Sequence, residues 1–337
     1  MMVLSDFHIG GTGVRIPPSI PLSQVVADGL YSAEDLEETQ LESIAVSNEG
    51  FPAEMAAQAA RDAIAASSHA PEDVALTLYA FISNQGLSGW HAGAYVHRSA
   101  VGGHSPVLEV GQRSNGGLTS LDLAVAYLQA RGGSAALVTT GDRFGDLPGG
   151  RWNYDDGLIP GDGATALLLS RERGFARILS LTIRCDSSLE GLHRGDAGYV
   201  ERPNSDFTPS FRQRKREYLS RNDLKEVAGR FTAGAAATVA PALEEAKVHK
   251  KEIDHWVLPF IGLHELRTYY LDPLEIPLES TLWSWGRTVG HLGAGDQIAG
   301  LHRLHTQGLL APGQTVALLG VGAGFSWSCA VLRIEGP

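Results

Sequence analysis

Short, unbroken apolar runs alternate with alanine-rich stretches of helical length along this chain. A run such as Ala135–Thr140 (AALVTT) has no polar face, so a strand built from it must be covered on both sides. Sheets with helices on both faces meet that demand, which selects the α/β class. In the first half, Phe7–Gly13, Val74–Ser83, Pro106–Val110, Ala135–Thr140 and Thr165–Ser170 read as strands. Glu54–Ser68 and Gly116–Arg131 read as helices, the second ended by Gly132 and Gly133. In the second half, Ala228–Ala246 reads as a helix with an expected kink at Pro241, His255–Phe260 as a strand and Ile298–Gln307 as a helix. Thr315–Gly320 and Ser326–Ile334 read as paired strands joined by Val321–Phe325. Helix, strand, helix and paired strands thus recur, which points to two related halves, residues 1–172 and 173–337.

The chain has 337 residues, 43% of them hydrophobic and 19% charged, enough apolar material for a large core. Its net charge of -11 argues against a nucleic-acid or anionic-membrane partner, since both need dense cationic surface. No apolar run is long enough to span a bilayer, and MMVLSDFHIGG lacks the pattern of a signal peptide. Cys185 and Cys329 cannot make a disulfide framework, so a reducing cytoplasm is expected, with both cysteines buried in strands.

Three segments carry chemistry. In Val107–Ala124 (VLEVGQRSNGGLTSLDLA) a strand runs into a tight turn and then a helix, with Ser114 at the turn. Free backbone N–H groups at a helix start can receive an oxyanion, which suits a nucleophile; the same position suits a serine that merely caps the helix. In Gly286–Ala299 (GRTVGHLGAGDQIA), His291 and Asp296 share a glycine-rich loop, where a carboxylate can set the tautomer of an imidazole. Gly320–Trp327 (GVGAGFSW) has closely spaced glycines between strands, not the strand–helix context of a dinucleotide site. A basic cluster of Arg212, Arg214, Lys215, Arg216 and Arg221 stands out in so acidic a chain. It reads as a solvated helix face or as a docking patch for a phosphate-bearing partner.

Together these segments resemble the thiolase superfamily, in its ketoacyl-acyl-carrier-protein synthase III branch, over essentially the whole chain. QRSNGG stands at the family's nucleophile turn, GDGATALLL (Gly161–Leu169) at its GDGA motif, and DHWVLP (Asp254–Pro259) before its active-site histidine. GHLGAGD stands at its G-Asn loop and GVGAGFSW at its terminal motif. The resemblance implies a thiolase fold, with helices between two mixed sheets in a five-layered arrangement, and a homodimer. The departures are chemical. Ser114 replaces the nucleophilic cysteine, Phe260 the active-site histidine and His291 the asparagine. The two side chains that serve the family's decarboxylation are therefore absent, and Ser114, His291 and Asp296 offer an acyl-transfer triad instead.

By that resemblance the expected substrate is an acyl-CoA or phosphopantetheine thioester, with no permanently bound cofactor and no metal. Backbone N–H groups of Ser114 and Gly324 are the expected oxyanion hole. The expected partners are acyl-CoA or acyl carrier protein as donor and a small-molecule or carrier-bound acceptor, in polyketide or related secondary metabolism. Arg212, Arg214, Lys215 and Arg216 are the candidate donor-docking residues. Condensation of a starter unit with a malonyl-carrier protein, and a non-catalytic partner subunit, are the rival functions. Among the remaining candidates, His302 and His305 are spaced as a metal pair without a third ligand, and Asp162 reads as a turn residue. Trp283 and Trp285 read as core residues or pocket lining, and His264 with Glu265 as helix surface or pocket lining.

Overall fold

The computed structural model describes residues 4, 6–147, 149–196, 198 and 210–336. The part of the Glu201–Arg221 stretch before residue 210 lies outside the described residues. The first half builds β1 (His8–Arg15), α1 (Pro52–Ala65), β2 (Val74–Ala80), α2 (Ala92–Ala100), β3 (Val107–Val110), α3 (Gly116–Arg131), β4 (Ala135–Asp142) and β5 (Gly163–Ser170). The second builds β6 (Ala176–Cys185), α4 (Phe211–Leu219), α5 (Leu224–Ala246), β7 (His255–Val257), α6 (Asp296–Thr306), β8 (Thr315–Gly322) and β9 (Ser326–Ile334). Shorter turns and helices connect them. No helix among the described residues is long and apolar enough to cross a membrane.

Among the described residues, nine strands form one mixed sheet in the order β3-β2-β4-β5-β1-β6-β9-β8-β7. The two expected mixed sheets are the two halves of this one, joined edge to edge. The two halves are stitched by antiparallel pairing of β1 with β6 at His8↔Arg177 and Ile9↔Ala176, a contact between distant segments that no local pattern reveals. On either side of that seam the order is the same. β2-β4-β5-β1 mirrors β7-β8-β9-β6, with a long antiparallel pair, β4–β5 or β8–β9, in the middle of each half.

Period-two alternation assigns the layers. Ala136 and Val138 of β4, and Val316 and Leu318 of β8, face a shared core with Leu121, Val125 and Leu128 of α3 and Ile298 and Leu301 of α6. Ala135 and Leu137 face the opposite side, toward α1 and α2, while Ala317 and Leu319 face Ala235, Val239 and Ala242 of α5. Helices α3 and α6 therefore lie between the half-sheets, with further helices outside each. β4 is buried along its full length, as its composition required.

Local chemistry explains several element ends. α1 starts at Pro52, where the Glu54 carboxylate accepts from the Phe51 N–H at 2.8 Å. α3 ends where Gly132 (φ +79°) and Gly133 (φ +105°) take conformations that cost other residues energy. α5 continues through Pro241, late in a helix already held by packing. β7 stops at Val257, short of the expected Phe260, because Pro259 offers no N–H for a ladder. Cys185, expected inside, is exposed at the end of β6, whereas Cys329 is buried.

Candidate active site

Three segments far apart in the chain converge where α3 and α6 begin. Ser114 sits in the single turn Arg113–Asn115 between β3 and α3. The residue that opens α3 is Asn115, so Ser114 is not its N-cap. Its Oγ lies 2.8 Å from His291 Nε2. On the other side of the ring, Nδ1 lies 2.6 Å from Asp296 Oδ2. Asp296 also accepts from the N–H groups of Leu292 (2.7 Å) and Phe260 (2.9 Å). A carboxylate loaded with these donors has only an acceptor's role toward Nδ1. The ring proton therefore belongs on Nδ1, and Nε2 is free to accept from the Ser114 hydroxyl.

The chain around this trio is braced. His291 N–H donates to Ile159 carbonyl (3.1 Å), and Gly161 N–H donates to His291 carbonyl (2.8 Å). Asp162, next to that clasp, is buried and bidentate to Arg151 at 2.9 and 3.0 Å, and accepts from Ser47 and Phe144 N–H. It anchors the turn, as its sequence motif indicated. Arg113, just before the serine, has a φ of +51°, a strained backbone for an arginine and a common mark of a site where geometry is imposed.

Burial opposes a charged His291, but the charge and hydrogen bond of Asp296, aided by Asp142 and Asp155, outweigh it and hold the imidazole above the ordinary histidine value. Asp142 is a participant that motif reading missed. It is fully buried at the end of β4 and accepts from Ile82 and Ser83 N–H, both at 2.7 Å, and from Ala294 N–H at 3.4 Å. One carboxylate thus ties the cavity wall to the histidine loop. Burial pushes its own pKa up to about 6, against those hydrogen bonds. Gly293 (φ +61°) passes so close that any β-carbon there would collide with this carboxylate. The missed signal was a lone Asp ending an apolar strand.

Asp142→Asn keeps an acceptor but removes a negative charge and sets an amide against Ala294 N–H. Any reaction that uses His291 as its base should slow by up to about 100-fold. Removing the charge should also lower the pKa of His291, moving the acid limb of the rate profile to lower pH. A slowed enzyme with an unmoved limb would leave Asp142 a brace only.

Ser114 and His291 open into a cavity of about 450 Å³. Its wall is aromatic: Tyr154 stacks on Phe211 at 4.7 Å, and His193 lies between Phe211 and Phe325 at 3.9 and 4.7 Å. Ala323 and Phe325 line it, and Gly324 (φ +137°) joins them. Phe260 does not line it; its ring is buried edge-on against Trp285 at 5.3 Å. Trp283 and Trp285 also lie outside this cavity. Glu265 lines it while His264 is exposed.

The basic cluster is mostly closed on carboxylates of this chain. Arg212 bridges Asp35 (3.0 Å) and Asp156, Lys215 holds Asp155 (2.6 Å), Arg216 meets Asp156 (2.8 Å) and Arg221 pairs with Asp196. These bonds fasten α4 over the cavity, so the cluster is not an open cationic patch. The partner carboxylates are far from it in sequence, which hid the pairing. Arg214 alone of the docking candidates makes no ion pair among the described residues. His302 bonds Thr12 (3.0 Å) and His305 stacks on Phe175 (3.8 Å), so the two serve packing.

The solved structure of ChlB3, titled an acyltransferase, is 33% identical, covers 98% of both chains and superposes with a TM-score of 0.92. Residues 243–334 match the model of the 3-oxoacyl-[acyl-carrier-protein] synthase III C-terminal family. The chain belongs to the ketoacyl-acyl-carrier-protein synthase III family, within the thiolase superfamily. Among relatives of this synthase III-like protein, the β-ketoacyl-acyl-carrier-protein synthase III of Rhizorhabdus wittichii is 26% identical over 96% of this chain and 98% of its own. The synthase III structure from Aquifex aeolicus, 19% identical over 97% of this chain and 99% of its own, shares the fold at a TM-score of 0.79.

Proposed function

We propose that this synthase III-like protein is an acyltransferase that works through an acyl-Ser114 intermediate. The observation that carries this reading is the continuous line Ser114–His291–Asp296, with spacings of 2.8 and 2.6 Å, open to a cavity with an aromatic wall. The likeness to ChlB3, an acyltransferase by name, supports the same activity class.

His291 Nε2 takes the Ser114 proton as Oγ attacks the carbonyl carbon of an acyl-CoA or acyl-carrier-protein thioester. The carbon–sulfur bond breaks, and the departing thiolate takes the proton from His291. An acceptor hydroxyl or amine then gives its proton to His291, attacks the serine ester, and Ser114 regains its hydrogen. Backbone N–H groups of Ser114 and Gly324 are the proposed oxyanion donors. The halves 1–172 and 173–337 would contribute the nucleophile and the His/Asp loop respectively. A homodimer and a place in polyketide or related secondary metabolism remain part of this reading by family likeness.

Condensation is the second reading, favoured by the priming β-ketosynthase of the R1128 polyketide pathway, which shares the fold at a TM-score of 0.79 and 18% identity. It needs donors at the thioester oxygen to stabilise an enolate. Phe260 has none and faces Trp285, while His291 is engaged by Ser114 and Asp296. Incubation with labelled malonyl-carrier protein should therefore release little CO2, and an acyl donor with an alcohol or amine acceptor should give an ester or amide mass. Stoichiometric CO2 with a 3-ketoacyl product would replace transfer by condensation.

A further inference from the structure

We propose that Arg113 and Arg214 form an anion subsite inside the cavity and select an acyl group that carries its own acidic oxygen, of which a terminal carboxylate is the simplest case. The proposal rests on the acyl-Ser114 reading and names the substrate class for it.

Arg113 and Arg214 both line the same cavity as Ser114, Arg113 as its immediate neighbour in the chain and on the exposed side of the wall, Arg214 from α4. Neighbouring cations of α4 are neutralised, as described above. Arg214 differs: its Nε is buried without a hydrogen-bond partner among the described residues, and its guanidinium carbon lies 5.7 Å from the Phe211 ring. A buried, unpaired donor of this strength costs free energy unless a ligand satisfies it.

The charges around the pair point the same way. Asp155, also on the cavity wall, is held by Lys215 at 2.6 Å. Asp146 and Glu265 line the wall but make no ion pair with either arginine among the described residues. Burial lowers the pKa of Arg214 and the charge of Arg113 lowers it further, with only the Tyr154 phenol opposing. Burial likewise drives His193 well below the ordinary histidine value, helped by Lys215, Arg113 and Arg214. Burial first, and these cations second, thus disfavour a charged imidazole. Neither arginine is paired with a carboxylate among the described residues, and the planar fork of a guanidinium suits a carboxylate brought in by the ligand.

The donor's phosphate could supply an anion too. It sits a full pantetheine arm from the thioester, whereas Arg113 adjoins the nucleophile, so the acyl group is the better match.

The test measures acylation of Ser114 by intact-protein mass with glutaryl-CoA and pentanoyl-CoA, chains of equal length that differ in a terminal carboxylate. The expected wild-type preference for glutaryl is at least about 10-fold, the scale of one charge-assisted hydrogen bond. Arg113→Met and Arg214→Met should each bring the ratio close to one, and Arg214→Lys should keep part of it. Because the readout is a ratio within one protein, loss of folded material does not mimic the result. The same preference on N-acetylcysteamine thioesters, which carry no phosphate, supports the acyl-borne anion. Equal rates in the wild type, a ratio unchanged in both methionine variants, or a preference confined to CoA donors would overturn the subsite. No adduct from any thioester would defeat the acyl-serine reading and the subsite with it, whereas pentanoyl adducts without preference would defeat the subsite alone.

Discussion

Ser114→Ala is expected to abolish the covalent acyl adduct and to reduce turnover by on the order of 10⁴–10⁶-fold, the scale seen when a triad loses its nucleophile. The protein should still fold. Ser114 contributes one hydrogen bond, to His291, and replacing a half-buried hydroxyl there costs about 1 kcal/mol. Thermal unfolding of the variant checks this directly. Mass spectrometry then separates the nucleophile from the cysteines. The Cys329 thiol is buried and pushed up to about 12, which removes its thiolate, while Cys185 is exposed. An adduct that survives in Ser114→Ala and maps to Cys185 would remove the serine from the mechanism.

Asp296→Asn should slow acylation by about 10³–10⁴-fold, because an asparagine amide can donate to Nδ1 and so favours the tautomer with its proton on Nε2, where the base is needed. The sign of the accompanying pH shift follows from the site. His291 must be neutral to take the serine proton, so the wild-type rate falls as pH drops through its raised pKa, above the ordinary histidine value. Asp296 supplies the main stabilisation of the charged ring. Without it, burial dominates and the acid limb moves to lower pH, even as the maximum rate collapses. A variant with near-normal rate would show that Asp296 only holds the loop, through its bonds to Leu292 and Phe260 N–H.

Much of the architecture was legible in the residues themselves. Unbroken runs such as Ala135–Thr140 required covered strands, Gly132 and Gly133 ended α3 at the expected place, and the strand pair at the C-terminus appeared with its turn. Those features depend on neighbours within a few positions, and sequence preserves such relations. The short motifs around Ser114, His291 and Asp296 likewise marked them as candidates, whereas the meeting of Ser114 with His291 spans 177 positions. Four others depended on contacts between distant segments. The β1–β6 pairing that merges two half-sheets joins residues about a chain-half apart, and one edge-to-edge contact decides it. The carboxylates of Asp35, Asp155 and Asp156 converted an apparent basic patch into the fastening of α4. Phe260 turned its ring from the cavity, and Asp142 came beside the histidine loop from the end of β4. Periodicity and motif chemistry state which groups a chain possesses and which face of an element they occupy. Which charges meet, and which remain unpaired, is decided only when the folded chain brings remote elements into low-dielectric contact.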